Sequence, residues 1–282
     1  MGFSVNTNTG AMAALQSLAS TNKSMSTTQS RINSGLNVGS TKDDSAAYTI
    51  AQTLRGNMQG LQAVSSSLSR AKSVTDVAVA GAEQISDIVN EMKKKAYEAA
   101  DVIDQPSRDA INQDFTALRD RITTIVNSSD FNGTNLLKAG GGTVAALQSL
   151  QDGTAGGTWD PDALSVANQG LDLGGTVITV ATTGQINTQA AAQAMVDTLT
   201  TTQTNLKTSL STLGAASRKI DAQLSFTSKL SDVIESGVGN LVDADLAKES
   251  AKLQALQVKQ QLGIQALSIA NQAPQAIMSL FR

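Results

Sequence analysis

The side chains of this sequence that are able to do chemistry fall into a few short clusters, and two of the most versatile residue types are missing. Neither histidine nor cysteine occurs among the 282 residues. No side chain therefore has an unperturbed pKa near neutrality, and no thiolate nucleophile, disulfide or cysteine-ligated metal can form. Of what remains, Asp243 and Asp245 are paired acids of the kind that share acid and base duties, but no apolar or basic neighbours surround them, and a helix-start role fits them as well. Asp43-Asp44-Ser45 has ligand types for a metal and equally the types that cap a helix. Gly140-Gly141-Gly142 has the flexibility of a phosphate cradle without the Lys-Ser/Thr that a P-loop needs. Asp152-Gly153 and Asp160-Pro161-Asp162 lack calcium-loop spacing and read as turns. Lys93-Lys94-Lys95 would attract an anion or simply solvate a helix face. No acid–base–nucleophile set emerges, and the expectation is a protein with no catalytic residues, cofactor or metal.

The elements that carry these clusters are helical by pattern. Only 3% of the residues are aromatic, and much of the 40% hydrophobic content is alanine, which suits thin, closely packed helices better than a thick core. The net charge of −3 points to no nucleic-acid partner. No run of 18 apolar residues suggests a membrane span, and the opening MGFSVNTNTG lacks the basic and apolar stretches of a signal peptide. Export would need another route.

Charge is unevenly distributed. Before Asp43 the only charged residues are Lys23, Arg31 and Lys42, and from Leu253 onward only Lys259 and Arg282. A solvated helix normally shows a charged face, so both ends are expected to be covered on most sides. Both are also periodic. Ala11, Leu15, Leu18, Asn22, Met25, Gln29 and Ile32 follow steps of four and three. Leu246, Glu249, Leu253, Leu256, Gln260, Gly263, Leu267, Ala270, Pro274, Ile277 and Phe281 keep the same rhythm, the seam spacing of a coiled coil. Three further stripes lie between: Val74 to Met92, Ile111 to Ile125, and Leu206 to Ile234. Pro106 separates the first two, so they should fold back as a short-loop hairpin. From about 131 to 190 the texture changes. Asn132-Gly133 signals a turn, glycines punctuate the stretch, and Thr176 to Val180 reads as a strand. The fold class expected is mainly α: an elongated antiparallel helical hairpin or coiled-coil rod, with paired terminal helices and a small β-hairpin or turn-rich insert at its tip.

Several motifs in order resemble the bacterial flagellin family. Asn6-Thr7-Asn8, Asn33-Ser34-Gly35-Leu36 and Ser40-Thr41-Lys42-Asp43-Asp44-Ser45-Ala46 are similar to its N-terminal signature. Leu213-Gly214-Ala215, Asp243-Ala244-Asp245 and the tail ANQAPQAIMSLFR are similar to its C-terminal one. The resemblance covers roughly 1–137 and 205–282.

The resemblance implies a non-enzymatic subunit of the extracellular flagellar filament, exported unfolded through the flagellar type III apparatus and polymerised under a distal cap for motility. It also implies a homo-oligomeric helical filament, with an export chaperone, the cap protein and hook-associated proteins as partners. Residues 1–33 and 247–282 would form the inner tube, 34–46 and 236–246 spoke linkers, 47–137 and 190–235 a helical rod, and 138–189 a short variable outer insert. Leu15, Leu18, Ile32, Leu253, Leu256, Leu267, Ile277 and Phe281 are the expected apolar contacts of polymerisation. Hydroxyls such as Thr176, Thr179, Thr182 and Thr183 would either be plain polar surface or carry O-linked sugars. The stretch Met92-Lys93-Lys94-Lys95-Ala96 lacks the leucine of the RELA-type segment found in flagellins that an innate immune receptor recognises. A hook–filament junction protein, a secreted hydrolase housed in 138–200 and a cytoplasmic coiled-coil adaptor are the competing readings.

Overall fold

A computed structural model describes residues 7–152 and 161–280, with side chains placed for 7–150 and 162–272. The chain divides into two units, residues 1–56 with 233–282, and residues 57–232.

In the first unit, α1 (Thr9–Ser34) starts where Asn8 accepts the Ala11 amide, and ends at Gly35, whose φ of 72° only glycine adopts readily. The partner helix α5 (Leu246–Leu280) is capped by Asp245, which accepts the amides of Ala247 and Lys248. Between α1 and α2 (Ser45–Asp101), the Asp43 carboxylate accepts from the Gly39 and Ser40 amides and the Ser40 hydroxyl. These bonds, the Ser40 hydroxyl first, hold its pKa below the ordinary aspartate value. Asp44 caps α2 through the Ala46 and Ala47 amides. Asp43, Asp44 and Asp245 are thus spent on backbone amides. The linkers pair with each other: Leu36 bridges Asp243, and the amides of Asn37 and Val38 both donate to the Val242 carbonyl. A small cluster of Val38, Ala51, Val238 and Val242 lies beneath them. Helix α4 (Gln189–Val242) runs through Gly237 and Gly239, and residues 243–245 join it to α5.

In the second unit, α2 turns into α3 (Gln105–Ser128) at residues 102–104. Asp104 caps α3 with Pro106 in its first turn, and the buried Arg108 closes the end of α2 by donating to the carbonyls of Ala99 and Val102. Helix α3 returns along α2, with Asp114 on Lys95 at 2.8 Å. Helix α4 is tied to α2 by Gln203 to Asn90, Ser217 to Asp76 and Lys72 to Asp221. Every position of the Val74–Met92 stripe is buried, and Phe115, Ile122, Leu206, Leu213 and Ile220 meet it. Lys93, Lys94 and Lys95 ride the solvated side, the latter two paired with Glu98.

The strands β1 (Val144–Asp152) and β2 (Pro161–Val166) form one antiparallel hairpin, Val144 opposite Val166 and Leu147 opposite Ala163. It rests on the helices: the Leu147 amide donates to Ser67 Oγ, Gln223 donates to the Gln148 carbonyl, and Leu150 fills the space above Gly60. The strand expected at 176–180 is not one. That stretch bends at 176, 177 and 180, and its one bridge joins Ile178 to Leu173. Ile178 and Val180 are buried, and Thr179 bonds to Thr202 of α4 instead of to a neighbouring strand. Period-two burial against a helix leaves the same sequence pattern as a sheet strand.

Candidate assembly surface

The helices α1 and α5 pair antiparallel, and their seam can be read off the burial pattern. On α5 the inward positions are Glu249, Leu253, Leu256, Gln260, Gly263, Leu267 and Ala270, as the spacing predicts. Leu246, assigned to the same seam, is exposed. On α1 the inward positions are Ala11, Ala14, Leu18, Thr21, Met25, Thr28 and Ile32. Alternate positions of the expected α1 seam are therefore displaced by one residue: Leu15, Asn22 and Gln29 are exposed, Asn22 at the seam's edge, while Ala14, Thr21 and Thr28 face α5. Both series have steps of three and four, and leucine is the bulkier marker, so the sequence pattern favoured the wrong phase. Packing inverted that choice because α5 comes close, with Gly263 opposite Leu18, and small residues suit close approach.

Polar contacts cross the seam at three levels. Asn8 Nδ2 donates to the Ala270 carbonyl at 2.7 Å, and Gln260 Nε2 donates to Asn22 Oδ1 at 2.9 Å. Arg31 reaches Glu249 at 3.5 Å, and Lys252 joins Glu249 from the same helix. Asn22, Glu249 and Gln260 stand in the seams that spacing predicts, but Arg31 does not, because an ion pair between residues 218 positions apart has no local signal.

What this pair buries is small. Among the described side chains of α1 and α5, only Thr28, Glu249 and Leu256 are less than a tenth exposed, and two of these are polar. Of the expected contact residues, Leu256 is buried, while Leu18, Ile32, Leu253 and Leu267 are half-buried in the seam. Leu15 is 60% exposed. The Ile277 side chain and Phe281 lie outside the described residues. The outward faces are apolar as well: Met12 beside Leu15 on α1, and Val258, Leu262, Ile264 and Ile269 on α5, the last 68% exposed. A soluble single chain seldom shows so many large apolar side chains on two neighbouring helices with so little charge around them.

In the insert, Thr176, Thr182 and Thr183 are exposed, whereas the half-buried Thr179 hydroxyl shares a 2.9 Å bond with Thr202 Oγ1. The turn at Gly140 to Gly142 is closed on itself, with the Gly141 amide on the Lys138 carbonyl. Among the described residues no cluster of acidic side chains is arranged to hold a metal, and no helix is long and apolar enough to cross a membrane.

Paired, charge-poor terminal helices with apolar outer faces define a subunit built to lie against other helices. Comparison with known proteins gives that class a family. Residues 5–141 match the bacterial flagellin N-terminal helical region, and residues 195–281 match the bacterial flagellin C-terminal helical region. Flagellin FljM of Caulobacter vibrioides is 44% identical over 280 residues, spanning 99% of this chain and 98% of that protein. A flagellin of Brucella melitensis is 36% identical over 282 residues, with 99% of each chain covered. A crystal structure of Bacillus cereus flagellin, 19% identical, aligns with 66% of this chain and 93% of that chain at a TM-score of 0.39. The chain belongs to the bacterial flagellin family and is a structural subunit of the flagellar filament.

Proposed function

We propose that this subunit polymerises by coupled folding and assembly, with residues 1–33 and 247–282 as the inner layer of the filament. The observation that carries this is the burial pattern of α1 and α5: a thin seam that only half-buries most of its large residues, with further large apolar residues on the outer faces. In proteins most helical stability comes from packing of an apolar face, and fully burying a large apolar side chain contributes only about 1.5–3 kcal/mol. The seam half-buries most of its large residues, so neighbouring copies supply the rest by covering Met12, Leu15, Leu262 and Ile269. Order gained only in the assembled state is stabilised by mass action.

The remaining assignments follow the same reading. Residues 34–46 and 236–246 link the inner layer to a helical domain of 47–137 and 190–235, and 138–189 is the variable outer insert. The chain leaves the cell unfolded through the flagellar export apparatus, escorted by a chaperone. It adds to the filament beneath a cap protein, meets hook-associated proteins at the filament base, and serves motility without catalysis. Exposed Thr176, Thr182 and Thr183 are the accessible candidates for O-linked sugar. Thr179 is the poorest of the four, because its hydroxyl is already bonded. An intact mass of native filaments equal to the bare polypeptide removes the sugar proposal.

Electron microscopy tests the function. Concentrated full-length chain is expected to form long, uniform tubes, and a chain trimmed by about 35 residues at either end is expected to stay soluble, folded in its 57–232 unit and unable to polymerise. Robust filaments from either trimmed chain overturn the proposal.

A further inference from the structure

The apolar seam between α1 and α5 does not by itself choose how the two helices are aligned. Gly263 faces Leu18, and a Cβ built on it would lie 3.9 Å from the Leu18 Cβ. Each step up α1 is matched by a step down α5, as the Asn8–Ala270, Asn22–Gln260 and Arg31–Glu249 contacts show. Because both seams keep the heptad rhythm, sliding α5 by one heptad, about seven residues, preserves an apolar match. In one direction Gly263 meets Met25 and Leu256 meets Ile32. In the other, Gly263 meets Ala11 and Leu256 meets Leu18. The first slide sets Ala270 opposite Leu18, one methyl more than Gly263; the second sets Leu256 there, where even a Cβ would lie 3.3 Å from Leu18 Cδ1, so size disfavours only the second.

The polar residues do discriminate. The first slide carries Glu249 past the end of α1, away from Arg31, and sets the Asn22 amide against Leu267. The second buries Glu249 against Met25, leaving a carboxylate in the seam without the Arg31 cation, which is expensive. Lys252 cannot compensate for position, because it lies on α5 and travels with Glu249 in every alignment. Glu249 is also too enclosed to be indifferent to its setting. It is 8% exposed with Oε2 unpartnered, and Thr28 Oγ1 and Arg31 Nε on the facing helix are likewise buried without a partner. A lone buried polar residue in an otherwise permissive seam specifies alignment at the expense of stability.

We infer that the Arg31–Glu249 pair sets the register of the terminal helices, and so determines which alignment every subunit brings to the filament. This rests on the assembly reading above and adds the residues that make the paired ends uniform from copy to copy.

Because the chain contains no cysteine, an engineered pair reports alignment directly. The 3.9 Å Cβ separation at Leu18 and Gly263 is close to the roughly 3.8 Å of a disulfide. Filaments of the full chain carrying L18C/G263C, M25C/G263C or A11C/G263C are oxidised, and the intrachain cross-link is quantified by peptide mass. In the otherwise unchanged chain, L18C/G263C is expected to cross-link at least tenfold more than either alternative. In R31A/E249A the preference is expected to fall at least tenfold. If R31A/E249A does not polymerise, the exchanged pair R31E/E249R is expected to restore both filaments and the L18C/G263C preference, while E249R alone does not. An unchanged preference in R31A/E249A, or an exchanged pair that restores neither property, overturns the inference. Failure of the unmutated chain to form filaments instead overturns the assembly reading beneath it.

Discussion

At the scale of single residues, the chemistry of this chain is the satisfaction of backbone groups. Asp44, Asp104 and Asp245 each begin a helix, Arg108 closes one, and the buried Asn135 binds the Val126 carbonyl while accepting the Leu137 and Lys138 amides. Against that background Leu15 stands out as a large side chain with nothing to cover it within its own chain. Leu15→Asp should leave the thermal unfolding of the 57–232 unit unchanged and raise the concentration needed for polymerisation at least tenfold; normal polymerisation at the usual concentration would show that Leu15 is not a contact. Asp104 gives a pH prediction. The Ser107 hydroxyl, then the Ser107 amide, hold its folded pKa below the unfolded value of about 3.9. Its stabilisation is therefore complete above that value and lost as pH falls through the folded one. The gap in urea midpoint between the unchanged chain and Asp104→Ala should be open at pH 7 and close progressively below about pH 4. A gap that persists at pH 2 would assign the effect to something other than the carboxylate.

At the scale of elements, close approach is the recurrent device. On α2, a side chain at Gly81 would run into Ser129 Oγ and sit 2.8 Å from Leu137 Cδ1, so the 129–137 loop crosses the helix where there is no side chain. Gly81→Ala gains about 1 kcal/mol of helix propensity and loses about 1–3 kcal/mol to overpacking. A lower urea midpoint for the 57–232 unit is expected, and a higher one would mean that the loop moves aside. Such contacts mark the limit of what the sequence showed. The stripes on α2, α3 and α4, the turn at Pro106 and the α5 seam were legible because large apolar residues repeat at helical spacing. The phase of α1 was not, because Ala14, Thr21 and Thr28 carry no apolar emphasis and owe their burial to Gly263 and its neighbours across the seam. The hairpin strands were likewise hidden: β1 reads as an alanine-, serine- and glutamine-rich run inside a glycine-rich stretch, while Thr176 to Val180 has the better strand composition. A helix, not a strand, turned out to be the partner of that second segment. Among the candidate contact residues, spacing identified the inward leucines of α5. It did not separate those that close the chain on itself from those, such as Leu15, left facing out.

For the whole molecule, the two units differ in where their stability comes from. Residues 57–232 enclose a continuous apolar cluster from Val64 through Phe115 to Ile220 and need no second copy to bury it. Among the described side chains of the terminal helices only Thr28, Glu249 and Leu256 are buried, which supports the proposal that their order depends on neighbours. Hydrogen exchange resolved along the chain measures this directly, comparing dilute unassembled protein with filaments. Amides of 9–34 and 246–280 are expected to exchange nearly unprotected in the dilute chain and to become strongly protected in filaments, while those of α3 and the central part of α4 are protected in both. Terminal amides already as slow to exchange in the dilute chain as in the filament would contradict the proposal.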